Sequence, residues 1–90
     1  MDDNLESRIA VIGIMVEDFD ATEKINLALH DYGKYIVGRM GIPYKDRNIH
    51  VISVIIDAPN DIISSLSGKL GMIRGVTAKA MYSKLPSEKA

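Results

Sequence analysis

Two stretches of the chain are apolar without interruption. Residues 49–56, Ile-His-Val-Ile-Ser-Val-Ile-Ile, contain no fixed charge and end at Asp57, Ala58 and Pro59. Residues 9–16, opened by Arg8, read Ile-Ala-Val-Ile-Gly-Ile-Met-Val. A run of this kind predicts a strand covered on both faces in the middle of a sheet.

Elsewhere the pattern changes period. Glu17, Asp18 and Asp20 break the first run, and Asp20 with Glu23 three positions on reads as an N-cap and capping box. A helix over residues 21–32 follows, with Ala21, Ile25, Ala28, Leu29 and Tyr32 on one face and Gly33 as a left-handed C-terminal stop. Residues 34–44 read as a strand interrupted by Gly38, Gly41 and Pro43, which suits an edge because proline donates nothing to a ladder. Lys45-Asp46-Arg47-Asn48 is a polar turn into residues 49–56, so these two strands form a hairpin. Asn60 is the expected cap of a second helix with Ile62, Ile63, Leu66 and Leu70 as its stripe and Gly71 at its end. After Gly75, Val76, Ala78, Ala80 and Tyr82 alternate with Thr77, Lys79 and Met81, a strand with one wet face.

The order is strand, helix, strand, strand, helix, strand. Residues 9–16 and 49–56 also match in register as a weak internal repeat. This is the pattern of an α+β, ferredoxin-like βαββαβ fold. It predicts a four-stranded antiparallel sheet in the order 4-1-3-2 with two helices on one face. That sheet order is expected to place the first and third strands at its centre, side by side and parallel. Residues 8–84 form the single domain, residues 1–7 a disordered lead and residues 85–90 a polar tail.

Alternation within the central strands then assigns their faces. Ala10, Ile12, Ile14, Val16, Ile52, Val54 and Ile56 face the helices. Val11, Gly13, Met15, Val51, Ser53 and Ile55 face the other way. That second set is too apolar to leave in water. The expectation is a homo-oligomer, dimer or tetramer, that covers the open sheet face, with Gly13 and Ser53 permitting close approach. The alternative is that Lys79 and the chain ends fold over it.

Composition narrows the function. With 90 residues the core is thin and a partner subunit helps it. Eleven basic against 12 acidic residues leave no electrostatic basis for nucleic-acid or membrane-surface binding. The absence of cysteine excludes disulfides, thiolate nucleophiles and cysteine-bound clusters. The acidic, polar start and the lack of any run of bilayer length make the cytoplasm the expected location.

No catalytic constellation emerges, and no catalytic residue, metal site or cofactor is assigned. His30 reads as a cation at a helix C-terminus and His50 as a rim residue of a central strand. Neither has the partners of a triad or a metal motif. Glu17, Asp18 and Asp20 are explained by helix capping. Gly68-Lys69-Leu70-Gly71 resembles a phosphate loop, but it lies at a helix C-terminus, whereas phosphate binds N-termini.

Residues 66–79, Leu-Ser-Gly-Lys-Leu-Gly-Met-Ile-Arg-Gly-Val-Thr-Ala-Lys, resemble the iron-only hydrogenase system regulators, with support from residues 8–14 and 52–56. More distantly the chain is similar to the ligand-binding domain of nickel-responsive repressors and to ACT-type domains. The resemblance implies a regulatory domain that senses an effector or a partner protein as a homo-oligomer, without a DNA-binding domain of its own. It does not carry the nickel site across. His30 and His50 fall near two of the ligand positions, but the second strand has no histidine and the chain no cysteine. The rival readings are a structural, protein-interaction subunit and a small enzyme with its site at a subunit interface, for which His50 is the candidate.

Overall fold

The computed structural model describes residues 6–84. Four strands, β1 (Ser7–Val16), β2 (Ile36–Tyr44), β3 (Ile49–Pro59) and β4 (Val76–Tyr82), alternate with two helices, α1 (Thr22–Asp31) and α2 (Asn60–Gly71). The sheet order is β2-β3-β1-β4, so the two uninterrupted apolar runs occupy its centre and the two interrupted ones its edges.

Every pairing is antiparallel, β1 with β3 included. The expectation that the first and third strands run parallel is therefore wrong. A helix crossover returns β2 in the direction of β1, and the β2–β3 hairpin reverses it, so the repeated halves meet head to tail. Continuous apolar runs arise here from a need to cover two faces, which antiparallel neighbours share when both faces find apolar cover.

The helix-facing assignment holds at every position. Ala10, Ile12, Ile14, Val16, Ile52, Val54 and Ile56 are buried, and Ile25, Leu29, Ile63, Leu66 and Leu70 close over them from the helices. Among the described residues no polar or charged residue is fully buried, so the core depends on apolar contact. Ser7 belongs to β1, opposite Pro59, and shortens the expected lead. The remainder of that lead, residues 1–5, and the tail, residues 85–90, lie outside the described residues.

Local chemistry departs from expectation at the element ends. The capping acid is Asp18, which accepts the Asp20 amide at 3.0 Å and opens a 3-10 turn over Phe19–Ala21; the α1 cap, Ala21, makes no side-chain bond. One extra turn before the helix moves the useful carboxylate two residues upstream. Gly33 opens a second 3-10 turn, Gly33–Tyr35, and is not left-handed. Asp57 does not stop β3, which continues to Pro59 with Ala58 in the core, and α2 begins at Asn60 after a Pro59 cap without a side-chain bond. The β2 register slips between Ile36 and Gly38, a bulge that leaves Val37 exposed on the edge strand. The β2–β3 connection is a 3-10 turn over Lys45–Arg47, closed by Asn48 in the left-handed region at φ 56°. Asparagine tolerates that conformation better than most residues.

Above the sheet the helices are joined by polar contacts at their rim. The Tyr32 hydroxyl and Ser65 Oγ lie 2.8 Å apart, and Lys69 sits over the Tyr32 ring. At the other edge the Arg8 guanidinium covers the Tyr82 ring and donates to the Ser83 carbonyl at 2.7 Å.

Candidate functional site

Among the described residues, the face of the sheet away from the helices is open. Its register follows from the pairing. Val11 opposes Ile55, Gly13 opposes Ser53 and Met15 opposes Val51 across the two central strands. All six residues expected on this face are absent from the buried core, and Met15 and Ile55 are 46% and 42% exposed. The edge strands extend the surface. Met40 and Ile42 lie opposite Ser53 and Val51, and Met81 lies opposite Val11. Met40 and Met81 are 63% and 69% exposed. Four strands thus present one apolar surface. The edge contributions were not assigned in the sequence, because they depend on the register of β2 and β4 rather than on either strand alone.

Lys79 lies on this face, paired in register with Gly13, and is itself exposed. It does not cover the apolar surface. The chain ends that formed the rest of that alternative lie outside the described residues. A second charged residue shares the face. Asp57, opposite Ile9 at the far end of β3, has a buried Oδ1 without a hydrogen-bond partner among the described residues.

At the opposite end of the face is an open cavity of about 590 Å³, lined by Met15, Glu17, Tyr44, Arg47, Asn48, Ile49 and Val51. Sheet residues supply its apolar floor, and the end of β1 and the hairpin turn supply polar walls. Arg47 stands in the 3-10 turn that left-handed Asn48 closes, and it lines the cavity together with Met15 and Glu17. Glu17 is held by its backbone, whose amide donates to the Gly75 carbonyl at 2.8 Å. An anion and a cation face one cavity, and neither has an ion-pair partner among the described residues. The sequence places Arg47 in a polar turn; the turn geometry that gathers it with Glu17 has no signature at fixed sequence spacing.

The other singled-out residues are not brought together. His50 meets Phe19 edge-on, ring centres 6.3 Å apart, and its Nε2 lies over Gly41, where an added Cβ would be 3.1 Å away. His30 lines a separate cavity of about 300 Å³ between α1 and β2, near Arg39, which donates to Asn26 Oδ1 at 3.1 Å. Of the three early carboxylates, Asp18 caps a turn, Glu17 lines the first cavity and Asp20 takes part through its amide. Among the described residues no three acidic or histidine side chains are grouped to hold a metal ion. Lys69 of the glycine-flanked stretch stacks on Tyr32 in the last turn of α2. None of the helices over the described residues is long and apolar enough to cross a membrane.

Comparison with known proteins converges on one family. The family described as "TM1266-like: Iron-only hydrogenase system regulator, putative" matches residues 8–80. Among solved structures the chain is similar to the uncharacterized protein TM1266 of Thermotoga maritima, with 35% identity, 88% of this chain and 100% of that one covered, and a TM-score of 0.83. It also shares its fold with a formyltetrahydrofolate deformylase of Pseudomonas putida KT2440, at 11% identity over 81% of this chain and 28% of that one, with a TM-score of 0.59. At that identity the likeness is one of fold alone. No curated protein matches the chain.

Proposed function

The chain belongs to the iron-only hydrogenase system regulator family, and from that membership we propose that it is a sensing module that works as a homo-oligomer. Its regulatory role follows the family's description, which is that of a regulator and not of an enzyme class. The finer reading is that a second copy covers the open sheet face. An effector, or a protein of the hydrogenase system, then engages the cavity at the end of that face and changes how the subunits pack.

One observation carries this reading. An apolar surface spanning four strands runs directly into a cavity whose Glu17 and Arg47 have no ion-pair partners among the described residues. Apolar area of that extent favours a permanent cover, and unpaired charges of both signs favour a polar visitor. A regulator needs both, because a ligand shifts a packing equilibrium only when it binds one arrangement better than the other.

The test is thermal denaturation and calorimetric titration of the protein with amino acids, nucleotides and divalent nickel and iron, in parallel with Arg47→Ala. Binding by the parent that is lost in Arg47→Ala, with the fold retained, supports the cavity as the sensing site. Binding that survives the substitution places the site elsewhere. Silence across the whole panel, with no hydrogenase-system protein retained by the immobilised chain, counts against sensing.

A further inference from the structure

Within the paired strands two charged side chains belong to the open face, Asp57 on β3 and Lys79 on β4. They cannot serve each other within one chain. Lys79 lies in the row of Gly13 and Ser53, four residues along β3 from Asp57 and two strands across from it. At ordinary strand spacings that is about 16 Å on the sheet surface. Asp57 is partly exposed, and its Oδ1, shielded from solvent, has no hydrogen-bond partner among the described residues, a costly condition for a carboxylate oxygen.

We infer that the open face is self-complementary, and that a second copy stacks on it with Asp57 of each subunit paired to Lys79 of the other. The inference rests on the oligomer proposed above and adds its orientation. The midpoint between Asp57 and Lys79 falls at Val11, which pairs with Ile55 on one side and Met81 on the other. A two-fold axis lying between the sheets and passing over Val11 brings both Asp57–Lys79 pairs together at once, as an isologous interface requires. It seats the half-buried Val11 at the centre, with Ile55 and Met81 beside it. The same axis crosses the two sets of strands at roughly 70°, close to the orthogonal class of sheet packing. Room for the lysine stem exists beside it, because Gly13 has no side chain and nothing lies within 4 Å of where its Cβ would stand. Charge placed this way sets the register of a surface that apolar contact alone would leave free to slide.

Charge reversal tests it. Sedimentation velocity is run on the parent, on Asp57→Lys, on Lys79→Asp, on an equimolar mixture of the two variants, and on the double variant. Each single reversal sets like charges opposite each other twice and is expected to weaken assembly at least tenfold. In the mixture every contact again joins opposite charges, as it does in the double variant, and both are expected to recover assembly. Misfolding is not repaired by mixing, so recovery separates pairing from damage. Single variants that assemble like the parent, or a mixture that stays dissociated, overturn the pairing while leaving the oligomer intact. A parent that sediments as one chain overturns both.

Discussion

A Cβ placed on Gly75 would lie 2.6 Å from the Cβ of Asp18. Gly75 has φ of +80°, and its carbonyl accepts the Glu17 amide at 2.8 Å. The loop before β4 is thus seated directly on the loop after β1. The glycine is required twice over, for its left-handed backbone and for the absence of a side chain.

Replacing Gly75 with alanine is expected to cost about 1–3 kcal/mol for the backbone conformation and a similar amount for the forced contact with Asp18. Urea denaturation monitored by circular dichroism measures it. A loss below about 1 kcal/mol contradicts the close approach.

Gly68→Ala is expected to do the reverse. Gly68 is interior to α2, and nothing lies within 4 Å of its missing Cβ. Removing the entropic cost of a helical glycine should stabilise the protein by about 0.5–1 kcal/mol. A rise in the denaturation midpoint at unchanged slope checks this.

The two faces of the sheet respond differently to substitution. Ile12 is wholly buried under the helices, and Ile12→Ala should cost about 2–5 kcal/mol and lower subunit stability however the copies assemble. Ile55 is on the open face, and Ile55→Lys should leave the circular-dichroism spectrum unchanged while shifting the mass toward the single chain. A pair of variants with indistinguishable effects on both readouts would falsify the division of the sheet into a core face and an assembly face.

Tyr32 and Ser65 tie α1 to α2 through a hydroxyl pair at the rim. Tyr32→Phe and Ser65→Ala should each lose about 1 kcal/mol or less, and the double variant little more than either, because both delete one bond. Fully additive losses indicate separate roles for the two hydroxyls.

The architecture could be read from the sequence because period and punctuation agree across levels. Two unbroken runs could only be central, and Pro43 with the flanking glycines could only be peripheral. Alternation then separated Ile12 from Val11 correctly along both central strands. What failed was local or non-local in a specific way. Asp18 replaced Asp20 as the cap because a 3-10 turn precedes α1, a choice that depends on a loop landing on Gly75 far along the chain. The expected parallel run of β1 and β3 overlooked the hairpin: β2 returns in the direction of β1, so β3, reversed after Asn48, is antiparallel to both. The candidate site was half legible. Val11, Met15 and Ile55 follow from alternation, whereas Met40, Met81 and the placing of Arg47 and Glu17 on one cavity depend on strand register and turn geometry. Asp57 reads as a stop in the sequence, yet its backbone continues the ladder opposite Ile9 and register puts it on the open face.

Sedimentation equilibrium of the purified parent protein at micromolar concentration tests the central claim most directly. On the proposal that a second copy covers the open face, the expected mass is twofold or fourfold the 9.9 kDa of one chain. A mass of one chain across that range, with the fold intact, contradicts it.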